Sequence, residues 1–329
     1  IDNYNRNGIK ILNIFSYFIT PITHISYSFG FFIGMFSKIN HKYKFAKNIK
    51  TKPSVIYCID DYGLDDSKDN QILECIKDTK KNIEVSVFGN FGLTKEKLSR
   101  ILNKKVQINI HIDLIEFYSI TKNSQITKRN NRFSHIIINF LKLIIIKNKR
   151  TRYSILRAYS KEVEAQIINV IQNLPPNYDF KKSELNCHMH IHIIPFIYRI
   201  LQKKCKKFKI LNIRNTQEII GNQYFRLKFI SNILSGNIFK VLVSNYLMKF
   251  NHLNNFNINI QNNSFFIGIL NSGRLTNENV KQSINQIKSL SFEDKIKICC
   301  HPGIIKDRTH NYKSFYFSQN RNIEKKLFT

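Results

Sequence analysis

The sequence predicts a parallel α/β fold, either a (β/α) barrel or a doubly wound open sheet, and three observations carry that expectation. Seven short segments rich in Ile and Val recur between Val55 and Cys300. Stretches with helical periodicity separate them, as strand–helix–strand crossovers require. Polar residues that interrupt the apolar pattern gather toward the ends of several strand segments, where α/β barrels assemble their sites. With 329 residues and 43% hydrophobic composition the chain can bury such a core, so full-length disorder is excluded.

In order, a strand over Val55–Asp60 is followed by a helix over Asn70–Lys80, a strand over Ile83–Phe88 and a helix over Lys95–Asn103. The third strand, Val106–Ile112, precedes a long link in which Phe133–Lys147 and Tyr153–Gln172 have helical periodicity. That link, around residues 115–183, is expected as a helical insertion on the barrel rim. The fourth strand, Leu185–Ile193, runs into Pro195, which opens a helix to Lys206. Strands over Phe208–Ile213, Phe265–Ile269 and Lys295–Cys300 complete the set. Tyr224–Leu253 reads as one or two helices and Asn277–Leu290 as another. The expected organisation is an extension over residues 1–50, a barrel over 51–318 and a polar tail over 319–329.

Composition narrows the function classes. The net charge of +30 comes from 52 Lys and Arg against 22 Asp and Glu. The positive residues are spread along the whole length, densest at 147–152 and 203–209, with no RNA-binding or helix-turn-helix signature beside them. A solvated basic surface in a chain crowded with Ile, Asn and Lys accounts for them better than a nucleic-acid groove. Six cysteines with no C-x-x-C pair exclude a zinc ribbon and a disulfide scaffold, and they suit a reducing, intracellular compartment. Residues 11–36 carry no formal charge, a length that could span about 30 Å of hydrocarbon. Asn13, Pro21, His24 and several Ser and Thr make the stretch only moderately apolar, so a membrane anchor, an interfacial helix and an extension packed on the domain all stay open.

The chemistry concentrates at four strand ends. On Val106–Ile112 one face is aliphatic and the other carries Gln107, Asn109 and His111. On Leu185–Ile193 the alternation sets Asn186, His188, His190 and His192 on one side. The first strand ends in Asp60, Asp61, Tyr62 and Gly63, where a turn can bring both carboxylates to one site. The last strand delivers His301, Pro302 and Gly303. A carboxylate and two imidazoles from separate strands can hold one divalent ion with a position left for water. A second carboxylate as general base and a further histidine as acid complete a metal-assisted hydrolysis of an amide or ester.

The blocks V-I-Y-C-I-D-D-Y-G-L (55–64), I-N-I-H-I-D-L (108–114), N-C-H-M-H-I-H-I-I-P (186–195) and H-P-G (301–303) resemble the YdjC-like carbohydrate deacetylases. F-x-G-I-L-x-S-G at 266–273 also fits, and the resemblance runs from about residue 54 to 311. It implies an irregular (β/α) barrel with about seven strands, similar to the polysaccharide deacetylases. It implies one divalent ion, Mg2+ or Zn2+, held by Asp61, His111 and His188. It makes Asp60 the general base and His301 the acid. Arg214 sits where the family has a pocket arginine that orients the base or binds substrate, and His190 and His192 are expected as pocket lining. The implied activity is removal of acetyl from an N-acetylated sugar or glycolipid.

This sequence departs from the family pattern at Cys58 (usually Asn), Asn186 (usually Asp), Asn109 (usually Gly) and Ile304 (usually aromatic). Those positions surround the ligands rather than supply them, so they bear on tuning. Asp113 is an extra inward carboxylate that could compensate in part. A rival reading is a catalytically reduced glycan- or glycolipid-binding protein at an anionic membrane surface. It draws on residues 11–36, on the apolar stretch 133–146 and on its basic neighbour 147–152.

Overall fold

Strand β1 (Ser54–Tyr62) lies near the middle of a seven-stranded sheet with β2 (Asn82–Phe88), β3 (Gln107–Ile112), β4 (Glu184–Cys187), β5 (Asn212–Ile213), β6 (Ser264–Ile267) and β7 (Lys295–Cys300). The order is β5-β4-β3-β2-β1-β7-β6, and every pairing is parallel. The sheet curls into a half-barrel, the α/β barrel-like architecture expected. A parallel bridge between Glu218 and Phe266 draws the chain after β5 toward β6. The computed structural model describes residues 53–104, 106–122, 133–220, 236–253, 264–290, 295–306 and 314–329. The expectations for residues 1–50, including the uncharged stretch 11–36, lie outside the described residues, as does the 224–235 part of the helical expectation over Tyr224–Leu253.

Helices connect the strands: α1 (Asp66–Lys77), α2 (Lys95–Leu102), α3 (Phe133–Ile145), α4 (Lys149–Asn173), α5 (Pro195–Phe208), α6 (Asn237–Leu253), α7 (Asn277–Leu290) and α8 (Asn320–Lys325). Their starts follow from local chemistry. The Asp65 side chain accepts from the Ser67 and Lys68 amides to begin α1, whose first turn also holds Asp66 and Asp69 against the positive end of the helix dipole. Thr94 caps α2 through the Lys97 amide, Asn148 caps α4 through Thr151, and Pro195 opens α5.

Each strand separates two environments. The outer face is aliphatic, with Ile59, Val85, Val87, Ile108, Ile110, Leu185, Ile296 and Ile298 buried under the helices. The inner face is polar. Register pairs Cys58 with Glu84 and Cys299, Ser86 with Asn109, and His111 with both Phe88 and Asn186, so these side chains share the concave side. A buried ion chain crosses that concavity. Lys297 bridges Glu84 (2.8 Å) and Glu184 (2.7 Å); Glu184 takes Arg214 Nε (2.9 Å), and Arg214 holds Asp60. Such pairs add little net stability over apolar packing, but breaking one leaves an uncompensated buried charge.

Helix α4 fixes the orientation of the insertion. The Gln166 side chain brackets the Asp113 backbone, accepting from its amide (2.9 Å) and donating to its carbonyl (2.6 Å), just past the end of β3. Beyond the C-terminal end of α4, the Tyr178 hydroxyl accepts from the Ile108 amide at the start of β3 (2.9 Å). The helix therefore runs antiparallel to the strand.

Two expectations change. Residues 319–329 are not a polar tail: α8 buries Arg321 and Glu324, and Leu327 packs in the main core. The fourth strand does not run to Ile193 but ends at Cys187, and residues 188–193 wind into 3₁₀ turns in which Met189 (φ 52°) and His190 (φ 56°) are left-handed. The three histidines therefore do not line one strand face.

Candidate metal centre and active site

Both carboxylates of the first block reach the concave side because β1 breaks its register between Ile59 and Tyr62, with Asp61 in the left-handed region (φ 69°). Without that irregularity, successive side chains would point to opposite faces. Asp60 and Asp61 are both fully buried. Asp61 Oδ1 lies 3.4 Å from His111 Nε2 and 3.3 Å from His188 Nδ1, while Oδ2 accepts from Lys68 Nζ at 2.8 Å.

The outer nitrogens of the two imidazoles are held as well. His111 Nδ1 donates to the Asn186 amide oxygen, and Asn186 Nδ2 donates to Ser86 Oγ at 3.0 Å. His188 Nε2 is placed by Glu116 (3.2 Å) and the Tyr316 hydroxyl (3.1 Å), which itself donates to Glu116 at 3.0 Å. Phe88 packs edge-on against His111 and tilted against His188.

The proton of His111 committed to Asn186 leaves the Nε2 lone pair facing a carboxylate oxygen. Both atoms, His111 Nε2 and Asp61 Oδ1, are buried with no hydrogen-bond partner. Two acceptors opposed in a dry site repel unless a cation sits between them. The donor atoms of Asp61, His111 and His188 all lie within 4.8 Å of one another, so the residues present fit a divalent ion.

Asp60 belongs to a second group with Cys299 and His301. Its carboxylate is taken up by the Arg214 guanidinium, Nη1 to Oδ2 at 2.5 Å and Nη2 to Oδ1 at 3.0 Å, while the Cys299 thiol reaches Oδ2 at 3.2 Å. With a cation already on both oxygens, this group is the poorer place for a metal. Burial works against the charged form of Asp60, but Arg214 outweighs it and holds the carboxyl well below the usual range. Asp61 is likewise held low, against its burial, by Lys68 and the two histidines. His188 moves the other way: burial disfavours its cation, yet the Asp61 and Glu116 carboxylates lift it to about 10. Burial and neighbouring Arg321 push His301 well below 6.5 and keep it neutral. The backbone on either side of His301 is pinned by α8, its amide to Glu324 (2.6 Å) and its carbonyl to Arg321 (3.2 Å).

The residues expected to line the pocket divide. Arg214 is fully buried between Asp60, Glu184 and Ser86, so it holds the Asp60 carboxylate in place rather than lining the pocket. His192 is also fully buried and accepts from the Cys187 amide (3.3 Å), which makes it part of the turn rather than the pocket wall. His190 keeps a half-buried position with its ring 5.3 Å from Phe266, and burial together with Arg214 lowers it to about 3. Asp113 does not compensate at the metal position. Its carboxylate caps the turn that carries Glu116, accepting from the amides of Ile115, Glu116 and Phe117. Lys68, Glu116, Tyr316 and the Glu84–Lys297–Glu184 chain were not expected. Glu84, Glu184 and Lys297 had a readable signal, a charge at the same period-two phase as the polar residues of their strands. Lys68 and Tyr316 had none.

One comparison with a solved structure agrees with this architecture. A protein from Enterococcus faecalis V583 assigned provisionally to cellobiose-phosphate cleavage superposes with a TM-score of 0.58 at 13% identity, covering 84% of this chain and 91% of the other. At that identity the likeness establishes the fold. An uncharacterised protein from Agrobacterium tumefaciens C58 gives a TM-score of 0.41 at 7% identity, covering 87% of each chain. No curated protein matches the sequence at a significant level. The family model of YdjC-like proteins matches residues 54–329, from β1 through α8, and the chain belongs to that family of carbohydrate-processing hydrolases.

Proposed function

We propose that the protein is a metal-dependent hydrolase that removes the acetyl group from an N-acetylated sugar, leaving a free amine and acetate. The observation that carries this reading is the buried cluster of Asp61, His111 and His188, whose donor atoms all lie within 4.8 Å of one another, beside a second buried carboxylate that Arg214 holds ionised. Asp61, His111 and His188 would hold a divalent ion, which would supply Lewis acidity to an amide carbonyl and to water. Asp60, kept anionic and fixed in orientation by Arg214, accepts the proton of the attacking water. Its low basicity is the cost of that pairing. His301 shares the Asp60 group and is neutral at rest, so it receives that proton and delivers it to the departing nitrogen. His190, at the rim of the same concavity, contacts the sugar.

Asp60→Asn should reduce acetate release from N-acetylated oligosaccharides by at least about 100-fold while leaving one divalent ion per chain by mass spectrometry. His111→Ala should lose the ion itself. Full turnover by the Asp60 variant would remove the assigned base. A chain that takes up no zinc or magnesium would remove the metal and leave a glycan-binding protein.

A further inference from the structure

Among the described residues, the α3–α4 hairpin carries seven of the fifteen exposed large hydrophobics, and α6 carries four more (Phe239, Tyr246, Phe250 and Leu253). Ile138, Leu141, Ile144 and Ile145 follow i, i+3, i+6, i+7 spacing, which places them on one stripe of α3, and they are 47–72% exposed. Tyr153 (64%) and Leu156 (36%) extend the exposed apolar surface onto α4. The opposite face of α3 is anchored: Asn139 donates to the Tyr159 hydroxyl at 3.0 Å, and Phe140 stacks on Phe196. The stripe is therefore the outer side of a docked helix.

Charge accompanies it. Residues 133–161 contain Lys142, Lys147, Lys149, Arg150, Arg152, Arg157 and Lys161 and no Asp or Glu, and all seven cations are exposed. In so basic a chain the lack of acids alone would decide little. Unpaired isoleucines among the cations decide more, because a merely solvated helix face has no use for them. Placement adds a third point. Gln166 of α4 is level with the end of β3, so residues 149–161 stand beyond the strand ends, up to roughly 25 Å of helix rise past that level. Asp61, His111 and His188 lie at the same ends of their strands.

We infer that the α3–α4 hairpin is a docking surface for an anionic lipid bilayer, its aliphatic stripe entering the headgroup boundary and its cations pairing with lipid phosphates. This goes beyond the deacetylase reading and does not depend on it. A second copy of the chain fits worse, since a two-fold contact would oppose like charges with no acid to pair them. A nucleic acid would use the cations and leave the isoleucines in water. Among the described residues no helix is long and apolar enough to cross a membrane, so docking at this surface is peripheral.

The test is co-sedimentation of the full chain with vesicles of phosphatidylcholine alone and with about 30% phosphatidylglycerol added, at low and physiological salt. Wild type should bind the anionic vesicles at least tenfold more than the neutral ones. Ile144→Glu/Ile145→Glu and, separately, Lys149→Glu/Arg150→Glu should each reduce that binding at least tenfold, with the thermal transition unchanged because all four positions are exposed. Equal binding to both vesicle types would overturn the inference. So would wild-type binding by both variants, which would move any lipid affinity to other residues, including 1–50. A dimer that Ile144→Glu/Ile145→Glu dissociates, without vesicle binding, would assign the stripe to a second copy. Retention by single-stranded DNA alone would assign the cations to nucleic acid.

Discussion

Lys68 Nζ, 2.8 Å from Asp61 Oδ2 and only 1% exposed, brings a third kind of charge to a centre otherwise made of carboxylates and imidazoles. It fixes the Asp61 carboxylate so that the other oxygen faces His111 and His188. It also repels any divalent ion bound there. At an effective dielectric near 20 and a few ångströms, that repulsion amounts to several kcal/mol, more than the loss of one orienting hydrogen bond. Lys68→Met should therefore bind zinc more tightly than wild type, read by competition with a chromophoric chelator; weaker binding would make orientation the dominant role. His188 gives a second test. Its folded pKa of about 10 lies above the ordinary 6.5, so its imidazolium stabilises the fold fully below about pH 6.5, and this contribution fades as pH rises through about 10. Metal coordination needs the neutral ring. Near pH 7, binding should release close to one proton from His188, and affinity should fall about tenfold per pH unit of acidification. Calorimetry in buffers of different ionisation heat measures that proton, and a count near zero would contradict the assignment.

Among the elements, the approach of β6 to β7 depends on Gly268. A Cβ there would lie 2.8 Å from the Cys299 carbonyl oxygen, and φ is 153°. The following turn is clamped by Glu218, whose carboxylate accepts from the amides of Gly268, Ile269 and Leu270 and is pushed up by burial to about 7. Gly268→Ala should destabilise the fold by about 1–3 kcal/mol and displace Cys299 and Asp60 with it, lowering activity as well as the thermal midpoint. A normal midpoint would show that β6 yields without cost. This element was legible in outline from Phe265–Ile269, because a short apolar run bounded by Gly reads as a buried strand. The segment 185–193 was legible in its residues and not in its shape. Alternating His and aliphatic residues satisfy the period of a strand, and nothing in that pattern announces the left-handed pair Met189–His190 that ends β4 at Cys187. Asp61 was the opposite case: Gly63 pointed to a turn, and a register break is there.

At the scale of the whole molecule, one polar seam ties the sheet together through Glu84, Lys297, Glu184, Arg214 and Asp60. Glu184→Gln removes the charge shared by Lys297 and Arg214, and leaving those cations short of a partner should cost about 3–5 kcal/mol. Thermal unfolding measures it, and a loss below about 1 kcal/mol would mean that the seam is not acting as a unit. The sequence showed where strands begin and which blocks carry ligands, since both follow from local pattern. It did not show the seam or the Glu116–Tyr316 support of His188, because those join residues distant in the chain, from 30 positions for Glu184 and Arg214 to 213 for Glu84 and Lys297. The same topology bears on how the protein is made. Asp60 and Cys299 meet across neighbouring strands although 239 residues separate them. At a synthesis rate of about 5–20 residues per second, the β7-facing edge of β1 waits roughly 10–50 s for its partner. Throughout that interval it is an open template for any other extended segment. The yield of active protein in a cell therefore depends on what shields this edge during translation, and mutations that leave the finished barrel intact can still reduce it.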